Sequence, residues 1–110
     1  MTLSTHVLDT SKGAPAAGVA LRLLQDEAVL FTGETDADGR CPALRGLSLA
    51  AGRYRLEFSV ADYFRKGGLD LPEPPFLGVV PIHFGVSEPE AHYHVPLLLS
   101  PYGYSTYRGS

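Results

Sequence analysis

Among the 110 residues there is a single cysteine, Cys41, so no disulfide can close within the chain and the cysteine-based zinc motifs cannot be built. Basic runs are missing as well. Nine Lys and Arg against twelve Asp and Glu leave a formal charge of −3, and no lysine–arginine stripe marks a nucleic-acid partner. No stretch approaches the roughly 20 apolar residues of a membrane helix. No basic region followed by an apolar segment opens the chain, so no signal peptide is expected and a bacterial-type cytoplasmic setting is. Phosphate-cradling glycine loops, HExxH and GxSxG are absent, as are internal repeats and low-complexity segments.

What remains is a globular composition, 45% hydrophobic, at a length that suits one domain over residues 1–110. The closing stretch, HYHVPLLLSPYGYSTYRGS from His92 to Ser110, organises the rest. Its alternation places Tyr93, Val95, Leu97 and Leu99 on one strand face and His92, His94, Pro96 and Leu98 on the other. Pro101 and Gly103 mark a turn, and Tyr104 to Tyr107 can return as a strand.

Upstream, Ser4 to Thr10 reads as a strand with His6 and Leu8 opposite Val7, and Ser11 to Pro15 as a turn or loop. Val19 to Leu24 and Val29 to Thr35 read as strands joined at Asp26-Glu27. Asp36 to Gly39, DADG, is a strong turn signal, with Arg40 directly after it. Gly52 to Val60 alternates cleanly, Tyr54, Leu56, Phe58 and Val60 facing one way. Ala61 to Lys66 is the one short helix, ended by Gly67-Gly68, and the prolines of Leu69 to Phe76 make that segment a loop. Val79 to Val86 is a strand whose Pro81 requires an edge or bulge. Seven or eight short strands with turns every ~8–12 residues make an all-β sandwich.

His6, Arg40, His94 and the terminal Tyr107-Arg108-Gly109-Ser110 are the candidates for chemistry. Each also has an ordinary reading. A histidine on an outer strand face is commonly a solvated polar residue, an arginine after a turn a surface residue, and Cys41 a small buried apolar one. Histidines alone could hold a metal only by converging in space. Taken on its residues alone, the chain is a β-sandwich with histidines on its surface.

Three separated segments, in order, carry a resemblance: STHVLDTSKGAPAAGV near the start, DADGRCP in the middle, and HYHVPLLLSPYGYSTYRGS at the end. Together they closely resemble the 5-hydroxyisourate hydrolase family, also called transthyretin-related proteins, of which the closing YRGS is the most specific sign. Transthyretin itself shares the LLSPYxYST shape but lacks the histidine pair and that tail. The resemblance implies a two-sheet transthyretin-like β-sandwich of about eight strands with one short helix near 61–66, assembled as a homotetramer (a dimer of dimers) with sites at the subunit interface. It implies hydrolytic ring opening of 5-hydroxyisourate with no cofactor and no metal. Carried over residue by residue, it makes His6, Arg40, His94 and Ser110 catalytic, and His6, Arg40, Tyr107 and Arg108 substrate-binding. Imidazole can take a proton from water near neutral pH, and arginine can hold a carbonyl oxygen as negative charge develops on it. Which histidine is the base stays open, His92 is a bystander or helper, and His83 is taken as structural. Two other classes stand beside this one: a transthyretin-like carrier of a small ligand, and an interaction domain without a small-molecule site.

Overall fold

Alternation at the two ends of the chain builds the first of two sheets. In the computed structural model, which describes residues 2–109, β1 (Thr2–Asp9) turns Leu3, Thr5, Val7 and Asp9 inward. In β7 (His92–Ser100), Tyr93, Val95, Leu97 and Leu99 do the same. These strands pair in parallel, from Thr2 opposite His92 to Asp9 opposite Leu99. β2 (Ala14–Pro15) flanks β1 and β8 (Gly103–Thr106) flanks β7, giving the order β2-β1-β7-β8. The second sheet is antiparallel throughout, in the order β4-β3-β5-β6, from β3 (Ala20–Gln25), β4 (Ala28–Glu34), β5 (Gly52–Ser59) and β6 (Val79–Val86).

The two inward faces enclose one core. Leu3, Val7, Leu97 and Leu99 belong with Leu21, Leu23, Leu56, Phe58 and Val80 in a single buried cluster, and full burial of each such side chain contributes about 1.5–3 kcal/mol. The even positions of β1 and β7 are therefore committed to the outer face of the first sheet, because a strand's side-chain period is two.

One helix, α1 (Val60–Lys66), packs Val60, Ala61 and Phe64 against the sandwich. Its first N–H groups, on Val60 and Ala61, donate to the Gly78 carbonyl at 3.1 Å each. Gly67 caps its end, donating to Tyr63 O. The Tyr63 hydroxyl donates to the Asp9 carboxylate at 2.7 Å and so ties the helix to β1. Burial alone would raise the pKa of Asp9. Donors from Ser11, Tyr63 and the backbone of Ser11 and Lys12 outweigh it and hold the carboxyl below its ordinary value. Tyr63 is pushed up to about 12, by burial first and then by its bond to Asp9 and that group's charge.

Several boundaries differ from the sequence reading. Val60, expected to end a strand, begins the helix, since its side chain can stay in the core either way. Ala14 and Pro15, expected in a loop, form the two-residue β2 against Leu8 and Asp9. Residues 42–46, for which no helix was expected, make a 3-10 turn begun by Pro42 and anchored by buried Leu44. Pro81 sits on the edge strand β6, as a residue without an N–H requires. Among the described residues no helix is long and apolar enough to cross a membrane.

Candidate active site

The outer face of the first sheet gathers the candidate residues, because register puts them there. Ser4 lies opposite His94 and His6 opposite Pro96 in the parallel pair, so Thr2, Ser4 and His6 of β1 share a face with His92, His94 and Pro96 of β7.

Arg40 reaches the same face through the DADG turn. The Asp36 carboxylate accepts from the N–H groups of Asp38 at 2.9 Å and Arg40 at 3.0 Å. Gly39, with φ +75°, lies so close to β1 that a Cβ there would stand 2.4 Å from the Val7 carbonyl oxygen. Only glycine permits that approach and that φ. The contact lets Gly39 O accept from Val7 N at 2.8 Å and sets Arg40 directly opposite His6 in an antiparallel bridge.

The tail arrives by an interrupted ladder. β8 pairs with β7 from Ser100 opposite Gly103 to Leu97 opposite Thr106. One step further, Pro96 has no N–H to offer the position of Tyr107, and the Pro96 carbonyl accepts instead from the Thr106 hydroxyl at 2.7 Å. The strand resumes in the same register at Gly109, whose N–H donates to the His94 carbonyl at 2.8 Å. The expected return strand through Tyr107 thus ends at Thr106, and proline is the reason.

His94 is the most constrained of the group. Its Nδ1 lies 2.7 Å from Ser4 Oγ, which is also 3.0 Å from His92 Nε2; His92 Nδ1 in turn contacts the Thr2 hydroxyl. Burial lowers the pKa of His94 below its ordinary 6.5, and the charges of Arg40, His92, His6 and Arg45 push it the same way. A neutral imidazole among cations, with Nδ1 engaged by a hydroxyl, is equipped to take a proton at Nε2.

Arg108 lies apart from this group. Its guanidinium stacks on the Tyr93 ring, Cζ 4.2 Å from the centroid, and Tyr93 is a core residue. Tyr107 is exposed, opposite Pro96 in the register. His83 is exposed on β6, opposite Arg55 and away from the cluster. The Ser110 side chain and chain-end carboxylate lie outside the described residues. The sequence reading missed Ser4, Thr2 and Arg45. Ser4 and Thr2 had a signal, since they share the parity of His6, whereas Arg45 depends on a 3-10 turn that no periodicity marked.

The cleft bounded by Ser4, Thr5, Arg40, Cys41, Pro42 and Arg45 encloses about 70 Å³, small beside the roughly 300–1,000 Å³ of small-molecule sites. Two roomier hollows, one of about 240 Å³ by Ser11, Lys12 and Tyr63 and one of about 290 Å³ by His83, Tyr93, Tyr107 and Arg108, are not lined by His6, His92 or His94.

Comparison with known proteins shows the family and the fold. The model of the HIUase/Transthyretin family matches residues 3–109. A 5-hydroxyisourate hydrolase of Caulobacter vibrioides is 54% identical over 98% of this chain and 97% of its own length. The solved 5-hydroxyisourate hydrolase of Klebsiella pneumoniae superposes with a TM-score of 0.87 at 38% identity, covering 99% of this chain and 93% of that one. Sea bream transthyretin, solved with thyroxine, gives 0.86 at 34% identity, covering 99% and 95%. On the match to its family model and on these likenesses, the chain belongs to the HIUase/Transthyretin family.

Proposed function

We propose that this protein hydrolyses 5-hydroxyisourate to 2-oxo-4-hydroxy-4-carboxy-5-ureidoimidazoline, as the names of its hydrolase relatives suggest. The observation that carries the reading is the convergence of His6, Arg40 and His94 on one sheet face, with Gly109 of the tail laid against His94. His94, neutral near pH 7, takes a proton from water as the water oxygen attacks the ring carbonyl. Arg40 holds the oxygen on which negative charge appears, where a fixed cation contributes most. The proton then passes to the ring nitrogen as the C–N bond breaks. His6, opposite Arg40, binds and orients the substrate, and the Tyr107 hydroxyl and Ser110 complete the wall. Arg108 anchors the tail through Tyr93. Water is the nucleophile: burial raises the pKa of Cys41, which disfavours the thiolate. The chain's own side chains supply base, acid and oxyanion contact, so the scheme uses no metal or cofactor.

The same reading makes the protein a homotetramer, a dimer of dimers with each site shared between copies. The small cleft in one chain supports this, as do the outer edges of β6 and β8, which have no strand partner among the described residues and where Val79 and Tyr104 are exposed. Light scattering should give the tetramer mass; a stable and fully active monomer overturns it.

Likeness to a thyroxine-bound transthyretin favours a second reading, a carrier of a small ligand. Polar and charged groups at His6, His94 and Arg40 oppose it, since an apolar ligand gains nothing from them. Following the absorbance of freshly generated 5-hydroxyisourate separates the two. A hydrolase speeds the decay in proportion to protein, and a carrier leaves it at the uncatalysed rate.

A further inference from the structure

His94 does not stand alone on its strand face. A continuous chain of contacts runs from its Nδ1 to Ser4 Oγ, on to His92 Nε2, and from His92 Nδ1 to the hydroxyl of Thr2. Ser4 is buried, whereas His92 and Thr2 are exposed, so the chain leads from the site to solvent.

A serine hydroxyl has one proton to donate. Set between two imidazole nitrogens, Ser4 must donate to one and accept from the other, so the tautomers of His92 and His94 are coupled. In one arrangement Nδ1–H of His94 donates to Ser4, Ser4 donates to His92 Nε2, and His92 Nδ1–H donates to Thr2. Nε2 of His94 then carries a free lone pair. In the reverse arrangement all three bonds run the other way, and Nε2 of His94 carries a hydrogen.

We propose that Ser4 and His92 are positioning residues that act through His94, holding its proton on Nδ1 so that Nε2 is basic, and carrying a proton from the site to solvent. The inference rests on the hydrolase reading above. Hydrolysis of a cyclic amide adds the water oxygen to the carbonyl carbon and a hydrogen to the leaving nitrogen. Near neutral pH the new carboxylic acid then ionises, since its ordinary pKa is near 4, and one proton per turnover has to leave. That proton is taken up at His94 Nε2. The Nδ1 proton of His94 moves to Ser4, the Ser4 proton moves to His92 Nε2, and the Nδ1 proton of His92 passes by way of Thr2 to water. No atom is left over, and no oxidant or reductant is needed. The chain ends in its reverse arrangement; once product leaves, His94 Nε2 gives its hydrogen to water entering the site while His92 and Ser4 return a proton to His94 Nδ1, which restores the starting arrangement. The titratable and charged groups facing His94 are His6 on β1, Arg40 after the DADG turn, Arg45 on the 3-10 turn and His92 on its own strand. The two arginines, as fixed cations, oppose a proton lingering on His94 and favour its export.

Two measurements test this. Nitrogen-15 NMR of the imidazoles in the resting protein, free of substrate and above pH 7, should show His94 protonated at Nδ1 and bare at Nε2. In Ser4→Ala that preference should disappear. Kinetically, Ser4→Ala and His92→Gln should lower kcat by roughly 10–100-fold, the range found when a group orienting a metal-bound histidine is removed. KM should stay close to wild type, and Ser4→Thr, which keeps the hydroxyl, should recover most of the loss. His92 is exposed, so His92→Gln remains a test if Ser4→Ala fails to fold. A resting His94 with its hydrogen on Nε2, or a tautomer unchanged in Ser4→Ala, overturns the proposal whatever the activity. Wild-type kcat in His92→Gln overturns the export route. Failure of the wild-type protein to hydrolyse 5-hydroxyisourate defeats the functional reading instead, and leaves the NMR result to be judged separately.

Discussion

Gly109 and His94 fit together only because residue 109 has no side chain. A Cβ there would stand 2.4 Å from Cδ2 of the His94 imidazole, while the Gly109 N–H donates to the His94 carbonyl at 2.8 Å. The tail is thus a wall laid directly on the ring that the proposed mechanism uses as its base. Gly109→Ala should push the ring or the tail aside. We expect kcat/KM to fall by about 10²-fold, the scale of a 1 Å misplacement in an active site, with the melting temperature nearly unchanged. Activity assays beside a thermal melt check this.

Arg45 offers a pH test. Burial, and then the surrounding positive charges, depress His94, so the acid limb of the kcat/KM profile should lie below pH 6.5. Arg45→Gln removes one of those charges, and the limb should shift upward. The stability sign follows from linkage. As pH falls through 6.5 the unfolded chain gains a proton at this histidine before the folded one does, so stability drops below that pH and the depressed pKa sets where the loss levels off. His94→Gln should flatten this part of a stability–pH curve.

Arg40→Lys should be a poor enzyme despite its retained charge. The ammonium is a point charge, and it lacks the planar fork of donors that can hold a carbonyl oxygen and a neighbouring ring group together. Kinetics with 5-hydroxyisourate should show kcat well below wild type, and circular dichroism should show the same fold.

Tyr63→Phe probes the fold without the site. It removes the 2.7 Å bond to buried Asp9, and a buried acceptor deprived of a donor costs about 1–3 kcal/mol. Denaturant titration should show that loss, with kcat preserved, because the bond lies on the inward side of β1.

The sandwich and its outward histidines were legible because period-two alternation in β1, β5 and β7 fixes which residues are buried, and His6 and His94 fall on the other parity. The turn at Asp36–Gly39 was legible from its residue types. The parallel pairing of β1 with β7 was not, since alternation says which face a strand buries and nothing of its neighbour. That pairing brings Ser4 to His94 and so creates the coupled hydroxyl and imidazole chain. The place of Arg108 was equally hidden. The resemblance implied substrate contact for it, and nothing in the sequence showed that its guanidinium would lie on the Tyr93 ring. The need for glycine at position 109 was hidden as well, since it shows only once the His94 ring lies against it.

The central claim is that His6 and His94 work at one hydrolytic site, and turnover of 5-hydroxyisourate by His6→Ala and His94→Ala tests it most directly. Both side chains project from the outer face, so each variant should melt close to wild type. Their kcat should fall by roughly 10²–10⁴, the usual contribution of a general acid–base group. Near-wild-type turnover in a folded His94→Ala or His6→Ala would contradict the account.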